Sequence, residues 1–437
     1  MKQKARYLLC LISINVIVMA CAKPAANQPP LVNVNTGLVN TNHLNYLYTP
    51  VTLPNGTSAA GIYIYAEAPD YHLVEAAGEG FTCIDDVARA VQVYGRSPLF
   101  ATDTAMQAKA LNLLRFIVGM QSDNGYFYNF LFTSGLINKF GSTSINQADW
   151  WSWRALQALT EMAPLIKNLD VTLYNQVQLS VEKLVLTLKA EMVNLPQTTK
   201  LVNGITVPEW LPATSATDQA SLLVLGLIPY CITSGDVVMK DYVKKLADGI
   251  ALMQAGDSTH YPYGCFLSWE NTWHAYGNIQ AYALLRAGAF FNDTHYYDVA
   301  LTEVDNFYPW LLQNGYQSSF SVSKSGETYQ LISGKEYEQI AYGITPMVFA
   351  AVEAYSITGE AKYADLAGEL AAWFLGANDE GVNMYNPGTG RCYDAISAAG
   401  SINQNSGAES TIEALFTMQL IDSNAEVKKA FDKYKKP

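Results

Sequence analysis

From residue 84 onward the chain alternates two kinds of apolar segment, and this alternation limits the available folds more than any other feature. One kind is polar where it begins and apolar almost all round afterwards. Its members start near Asp85, Ala148, Asp218, Thr272, Gln339 and Gly407. The other kind is amphipathic with a solvated face, at roughly 104–120, 173–193, 238–254, 293–313, 360–376 and 424–434. Val177, Val181, Leu184 and Leu188 make one clean helical stripe in that second set. Six helices buried all round and six buried on one side, alternating about every 55–70 residues, predict an all-α (α/α)6 toroid. No linker-like composition shift breaks the alternation, so one toroid domain is expected over 41–437. Residues 31–79 lack a helical pattern, and Gly61–Ala66 predicts one short strand ahead of the ring.

The N-terminus is expected to be a processing signal. Lys2, Lys4 and Arg6 precede an apolar run from Tyr7 to Ala20, too short for a retained membrane span. The run ends Val18-Met19-Ala20-Cys21, a lipobox pattern that makes Cys21 the lipidated residue; an ordinary cleaved signal is the alternative. A Pro-rich tether follows, expected over 21–40. The expected location is therefore the outer membrane of a bacterium, on its periplasmic face or at the cell surface, held only by a lipid anchor.

Charge narrows the partners. The chain carries a net charge of −12, and loss of the three basic leader residues takes it to −15. Nucleic-acid binding needs phosphate-neutralising cations, and this balance argues against it. Polyanionic glycans are disfavoured too, although a local basic pocket overrides a net charge. Cys83, Cys231, Cys265 and Cys392 are scattered singly without metal spacing. No metal or other cofactor is expected, and export permits one disulfide. The chain has no GxSxG, HExxH, Walker or strand-linked GxGxxG pattern, which removes serine hydrolases, zinc proteases and nucleotide enzymes.

The starts of the inner helices carry the chemistry. Asp85 and Asp86 open the first one, and Arg89 stands at ion-pair spacing from Asp85. Helix capping accounts for one such carboxylate but not readily for two, because neighbours on a helix point about 100° apart. Asp149, Asp218, Glu270, Glu336, Glu338 and Glu409 stand at the other starts. Glycoside hydrolysis needs one carboxylic acid and one carboxylate, and crowded carboxylates raise one another's pKa. Asp85, Asp86, Asp149 and Glu409 are therefore the candidate acid and base. Trp150, Trp151, Trp153, Trp210, Trp269 and Trp273 cluster near the same starts, where indoles either stack on sugar or fill core. Trp150, Trp269, Trp273, Tyr342, Tyr385, Arg391 and Tyr393 are expected to line subsites for an oligosaccharide or polysaccharide. Arg89, Arg154, Asp218, Glu270, His274, Asn278 and Glu338 are further expected contacts. Two loops add to them: Tyr126 and Asn129 after the Asp123-Asn124-Gly125 turn, which is expected to lead into an aromatic strand, and Asp394 with Asn405 near the last inner helix. A lyase or epimerase on the same ring would instead use Tyr276, His274 and Arg391, and a glycan-binding lipoprotein would keep the groove without turnover.

The stretch Gly80-Phe81-Thr82-Cys83-Ile84-Asp85-Asp86-Val87-Ala88-Arg89-Ala90 resembles a "G-(F/Y)-(C/T)-x-D-D-x-A-R-A" motif of bacterial proteins in the six-hairpin glycosidase superfamily, some of which accompany glycosyltransferase modules. The resemblance runs over about residues 80–420. It continues at Asp123–Phe130, at Asp149 with Arg154-Ala155-Leu156, and from Trp269-Glu270 to Asn278. It is strongest at Trp373–Asp379, Tyr385–Asp394 and Asn403–Thr411. It implies a toroid that acts on carbohydrate. Two positions depart from the pattern: Trp153 where a small residue is expected, and Gly277 where an acidic one is expected.

Overall fold

The computed structural model describes residues 37–436. Cys21, the signal expected over 1–20 and most of the tether lie outside the described residues. A short helix α1 (Asn42–Leu47) precedes six helical pairs. These are α2 (Ile84–Gly95) with α3 (Thr104–Gly119), α4 (Trp150–Ile166) with α5 (Val171–Met192), and α6 (Thr217–Ser234) with α7 (Val237–Leu252). Then come α8 (Gln280–Phe291) with α9 (Thr294–Asn314), α10 (Ala341–Thr358) with α11 (Ala361–Ala371), and α12 (Ala408–Ser423) with α13 (Ala425–Tyr434). Each even-numbered helix from α2 packs on the next even one, and α12 returns to α2, closing a ring. Odd-numbered partners pack outside it, so the expected (α/α)6 toroid is the fold.

Burial follows this division. Every residue of α6 from Thr217 to Ile228 is buried, whereas α5 buries one face, with Leu173, Val177, Ser180, Val181, Leu184, Val185 and Leu188. Capping follows it too. Asp103, Asp170, Asp236 and Asp293 cap outer helices by accepting backbone N–H bonds. Among the six inner helices only α4 has a side-chain cap, from Asp149. The other inner helices leave their positive N-terminal ends to the carboxylates around the mouth.

Four local expectations are corrected. The fourth inner helix begins at Gln280, not near Thr272, because Thr272–His274 is a strand paired with Ser319–Ser321. The strand expected over Gly61–Ala66 is split: Ser58–Ile62 pairs with Tyr48–Thr52, and Tyr65–Glu67 pairs with His72–Val74. Tyr63 and Ile64 bridge the two by donating to Leu47 and Phe81 carbonyls. The aromatic strand expected after Gly125 shrinks to Phe130–Leu131. The four cysteines are buried and free, so the permitted disulfide is not formed. Two hairpins, Thr199–Val202 with Ile205–Pro208 and Ser319–Ser325 with Thr328–Lys335, rise from the inter-helix loops.

Candidate active site at the mouth of the inner ring

The adjacent carboxylates of α2 separate as helix geometry requires. Asp85 faces the mouth with its side chain 26% exposed. Asn129 grips it from both sides: the Asn129 amide donates to Asp85 Oδ2 at 3.1 Å, and the Asp85 N–H donates to Asn129 Oδ1 at 3.3 Å. Asp86 turns inward, where Arg89 Nη2 donates to it at 2.7 Å and the Cys83 thiol at 3.3 Å. Arg89 is therefore not the partner of the Asp85 carboxylate, contrary to expectation. It joins Asp86, Glu409 (3.1 Å) and Glu413 (2.8 Å) into one network, buried except at Glu409. Arg154 donates to the Tyr342 hydroxyl and places Nε 4.0 Å from Asp85 Oδ1. The guanidinium groups of both arginines lie over the Tyr342 ring, at 5.1 and 4.9 Å.

Asp149 caps α4 by accepting from the Trp150 N–H at 2.8 Å, and its other oxygen accepts from Gln147 at 2.9 Å. Burial lifts its pKa to about 6, the Trp150 bond opposes the shift, and the charges of Asp85 and Asp218 add to it. Burial also raises Asp85, but the Arg154 and Arg89 charges pull it back. Asp86 reaches about 6 by burial against the pull of Arg89. Asp394 reaches about 6 as well, through burial opposed by hydrogen bonds from Ser410 (2.6 Å) and Gly407 N–H (2.8 Å). The negative charge of Glu409, itself 44% exposed, adds to the rise of Asp394. Asp218, Asp149, Asp85, Glu409 and Asp394 thus form an acidic ring over a floor of Arg89, Arg154 and Tyr342.

Beside this ring, His274 Nε2 meets Asp218 Oδ2 at 3.1 Å and its Nδ1 meets the Tyr276 carbonyl at 2.7 Å. The Tyr276 ring stacks on the imidazole at 3.8 Å. Trp150 lies against Gly277, whose φ is +74° and whose Cβ, were there one, would stand 2.6 Å from the indole. This accounts for Gly277 as a departure from the resembled motif: an acidic side chain there would displace Trp150. At the other departing position, buried Trp153 fills the space beside Tyr126 and donates to Gln219 at 2.9 Å. On the rim, Glu270 is held by Lys200 at 2.9 Å, Trp269 donates to the Ala213 carbonyl, and Glu338 is exposed.

Several expected contacts sit elsewhere. Trp273 is 1% exposed in an aromatic core with Phe307 and Phe320. Tyr126 points to the outer wall and donates to Glu191 on α5. Asn278 is buried and donates to the Gly343 carbonyl, and Asn405 accepts from the Ala68 N–H. Tyr385 donates to the Leu38 carbonyl, anchoring the start of the described chain. Arg391 and Tyr393 border a different cavity, with Arg391 4.1 Å over the Tyr71 ring. Glu413 and Tyr65 escaped the sequence reading. Glu413 was signalled by its i, i+4 spacing from Glu409. Tyr65, whose hydroxyl feels Asp86 and Asp394, carried no local signal.

No protein-family model and no curated protein matches this sequence. Solved structures do match in shape. A sugar epimerase from a ruminal bacterium superposes with a TM-score of 0.61 at 10% identity, over 87% of this chain and 95% of that one. A cellobiose 2-epimerase from Bacillus thermoamylovorans gives 0.58 at 11% identity over the same shares. A family 76 glycoside hydrolase from a bovine Bacteroides thetaiotaomicron strain gives 0.53 at 11% identity, over 90% and 79%. In fold, the chain is an (α/α)6 toroid like these structures.

Proposed function

We propose that this protein is a carbohydrate-active enzyme whose acidic mouth hydrolyses a glycosidic bond. The observation that carries the proposal is the pair Asp85 and Asp149. They stand on adjacent inner helices, close enough for the charge of one to raise the pKa of the other, in unlike surroundings. Two guanidinium groups oppose protonation of Asp85, while Asp149 lies between negative charges. That division suits a general acid and a second carboxylate. Asp149 gives its proton to the leaving glycosidic oxygen as the bond from the anomeric carbon breaks. Water supplies the hydroxyl that replaces it and gives its other proton back to the carboxylate pair, with Asp85 as the carboxylate facing that carbon. Asp86, buried under Arg89, positions the arginine rather than meeting substrate. Trp150, Trp269 and Tyr276 offer ring faces to the sugar. The lipobox ending at Cys21 supports a lipid-anchored enzyme at the outer membrane.

The His274–Asp218 pair supports a second reading, an epimerase that moves a proton at a carbon beside a sugar carbonyl. Arg391, expected to join that set, lies in the other cavity. Mass spectrometry of a panel of neutral and uronate-containing oligosaccharides incubated with the full-length protein separates the two. Hydrolysis gives two products whose masses sum to substrate plus one water. A product of unchanged mass, or an unsaturated fragment formed without water, would overturn the hydrolase.

A further inference from the structure

The structure contains a second cavity of about 420 Å³, within the size range of about 300–1,000 Å³ usual for small-molecule sites. Its walls include Tyr71, Asn383, Asn386, Thr389, Arg391 and Tyr393, and none of the mouth carboxylates borders it. A two-stranded ribbon, Tyr385–Asn386 paired with Arg391–Cys392, forms part of its wall. Side chains alternate along such a strand. Cys392 is buried and Asp394 accepts from Ser410 at the mouth, while Arg391 and Tyr393 turn to the other face and border the cavity. Arg391 on the strand and Asp394 just past its end thus put a basic group at the cavity and an acidic group at the mouth.

Arg391 is set up as a receptor. Its guanidinium stacks on Tyr71 at 4.1 Å, which fixes the plane of the fork. Tyr71 is itself held at φ +59°, an uncommon conformation for a bulky residue. The Tyr46 hydroxyl donates to its carbonyl at 2.9 Å, and the His43 ring packs edge-on against it. Among the described residues, no carboxylate pairs with Arg391 and no acceptor takes a hydrogen bond from its side chain. In a chain with 39 acidic residues against 27 basic ones, that is an unusual cation to leave open. Asn386 spends its Oδ1 on the amides of Gly388 and Thr389, which leaves its nitrogen to donate.

We propose that this cavity is a second carbohydrate subsite that takes a uronate sugar, with its carboxylate on the Arg391 fork and its ring against Tyr393. The inference rests on the carbohydrate reading above and adds a substrate class to it. The fork matches a carboxylate in a bidentate manner, and Asn383, Asn386 and Thr389 suit the hydroxyls of a pyranose. The acidic mouth repels the same carboxylate. The preferred glycan therefore carries its uronate away from the bond that is cut.

Isothermal titration of the full-length protein with methyl β-D-glucuronide and methyl β-D-glucoside tests this. The glucuronide should bind at least about tenfold more tightly, since one charge-assisted bidentate contact is worth about that much. Arg391→Gln should erase the preference, and Asp85→Asn should leave it intact. Arg391→Lys, which keeps the charge without the fork, should show an intermediate preference even if Arg391→Gln does not fold. Equal binding of the two sugars, or a preference unchanged in the Arg391 variants, would overturn the assignment. Acetate binding as tightly as the glucuronide would do so too, by reducing the cavity to a plain anion site. Binding is read here without turnover. A protein that hydrolyses nothing but keeps the preference retains this subsite, and a hydrolase without the preference retains the mouth alone.

Discussion

Helix α4 carries a carboxylate near each end, and the two live under opposite conditions. Asp149, at the N-terminus, lies among other carboxylates and is pushed up to about 6. Burial pushes Glu161 up too, but Arg96 overcomes it and holds the group below its usual range. Arg96 Nε and Nη2 donate to the Glu161 carboxylate at 2.6 and 2.9 Å, and Gln92 donates at 2.6 Å. The Arg96 guanidinium also lies over the Phe349 and Phe416 rings at 5.3 and 4.9 Å, closing the ring axis at that end. Both ends bury charge inside one helical ring. At the closed end carboxylate and cation are matched, and the pair holds helices together. At the mouth carboxylates exceed cations, and the surplus is chemistry held ready.

The comparison breaks if the two ends respond alike to substitution. Asp149→Asn and Asp85→Asn should each cost about 10²–10⁴-fold in kcat/KM. Both should leave Tm within about 3 °C, because Asn keeps the hydrogen-bonding oxygen at each site and the Asp85–Arg154 contact is only a long one of 4.0 Å. A loss of Tm matching the loss of activity would make the mouth structural. Glu161→Ala should do the reverse. It strands Arg96 in a site where each partner's side chain is 28% exposed, and that costs about 2 kcal/mol in urea unfolding, below the fully buried range because solvent screens part of the charge. Its kcat/KM should stay within about twofold of the parent. An inactive but stable Glu161→Ala protein would contradict the division.

The ring of helices was legible because burial on all sides and burial on one side leave different patterns, as α6 and α5 show. Charge placement was only half legible. The two aspartates of α2 had to diverge, but which one met Arg89 depended on Glu409 and Glu413 arriving from α12. Thr272-Trp273-His274 looked like another polar helix start. Its strand character comes from Ser319–Ser321, some 45 residues later, and no local pattern announces that pairing. The Asn203-Gly204 turn, at φ of +49° and +80°, joins a hairpin that escaped the sequence reading. Arg391 and Asp394 are three residues apart, yet Arg391 borders the second cavity and Asp394 the mouth. The strand holds only Arg391–Cys392 and Asp394 lies past its end, so no period-two pattern announces that split.

The pH dependence of kcat/KM tests the central claim most directly, on whichever oligosaccharide the panel identifies. A general acid must hold its proton, so a pKa of about 6 at Asp149 predicts a rate that falls about tenfold per unit above that pH. Asp218→Asn removes one of the negative charges that raise Asp149, so this limb should move to lower pH by about half a unit. A limb that stays in place in Asp218→Asn, or a profile with no limb near pH 6, would contradict the assignment of Asp149 as the acid.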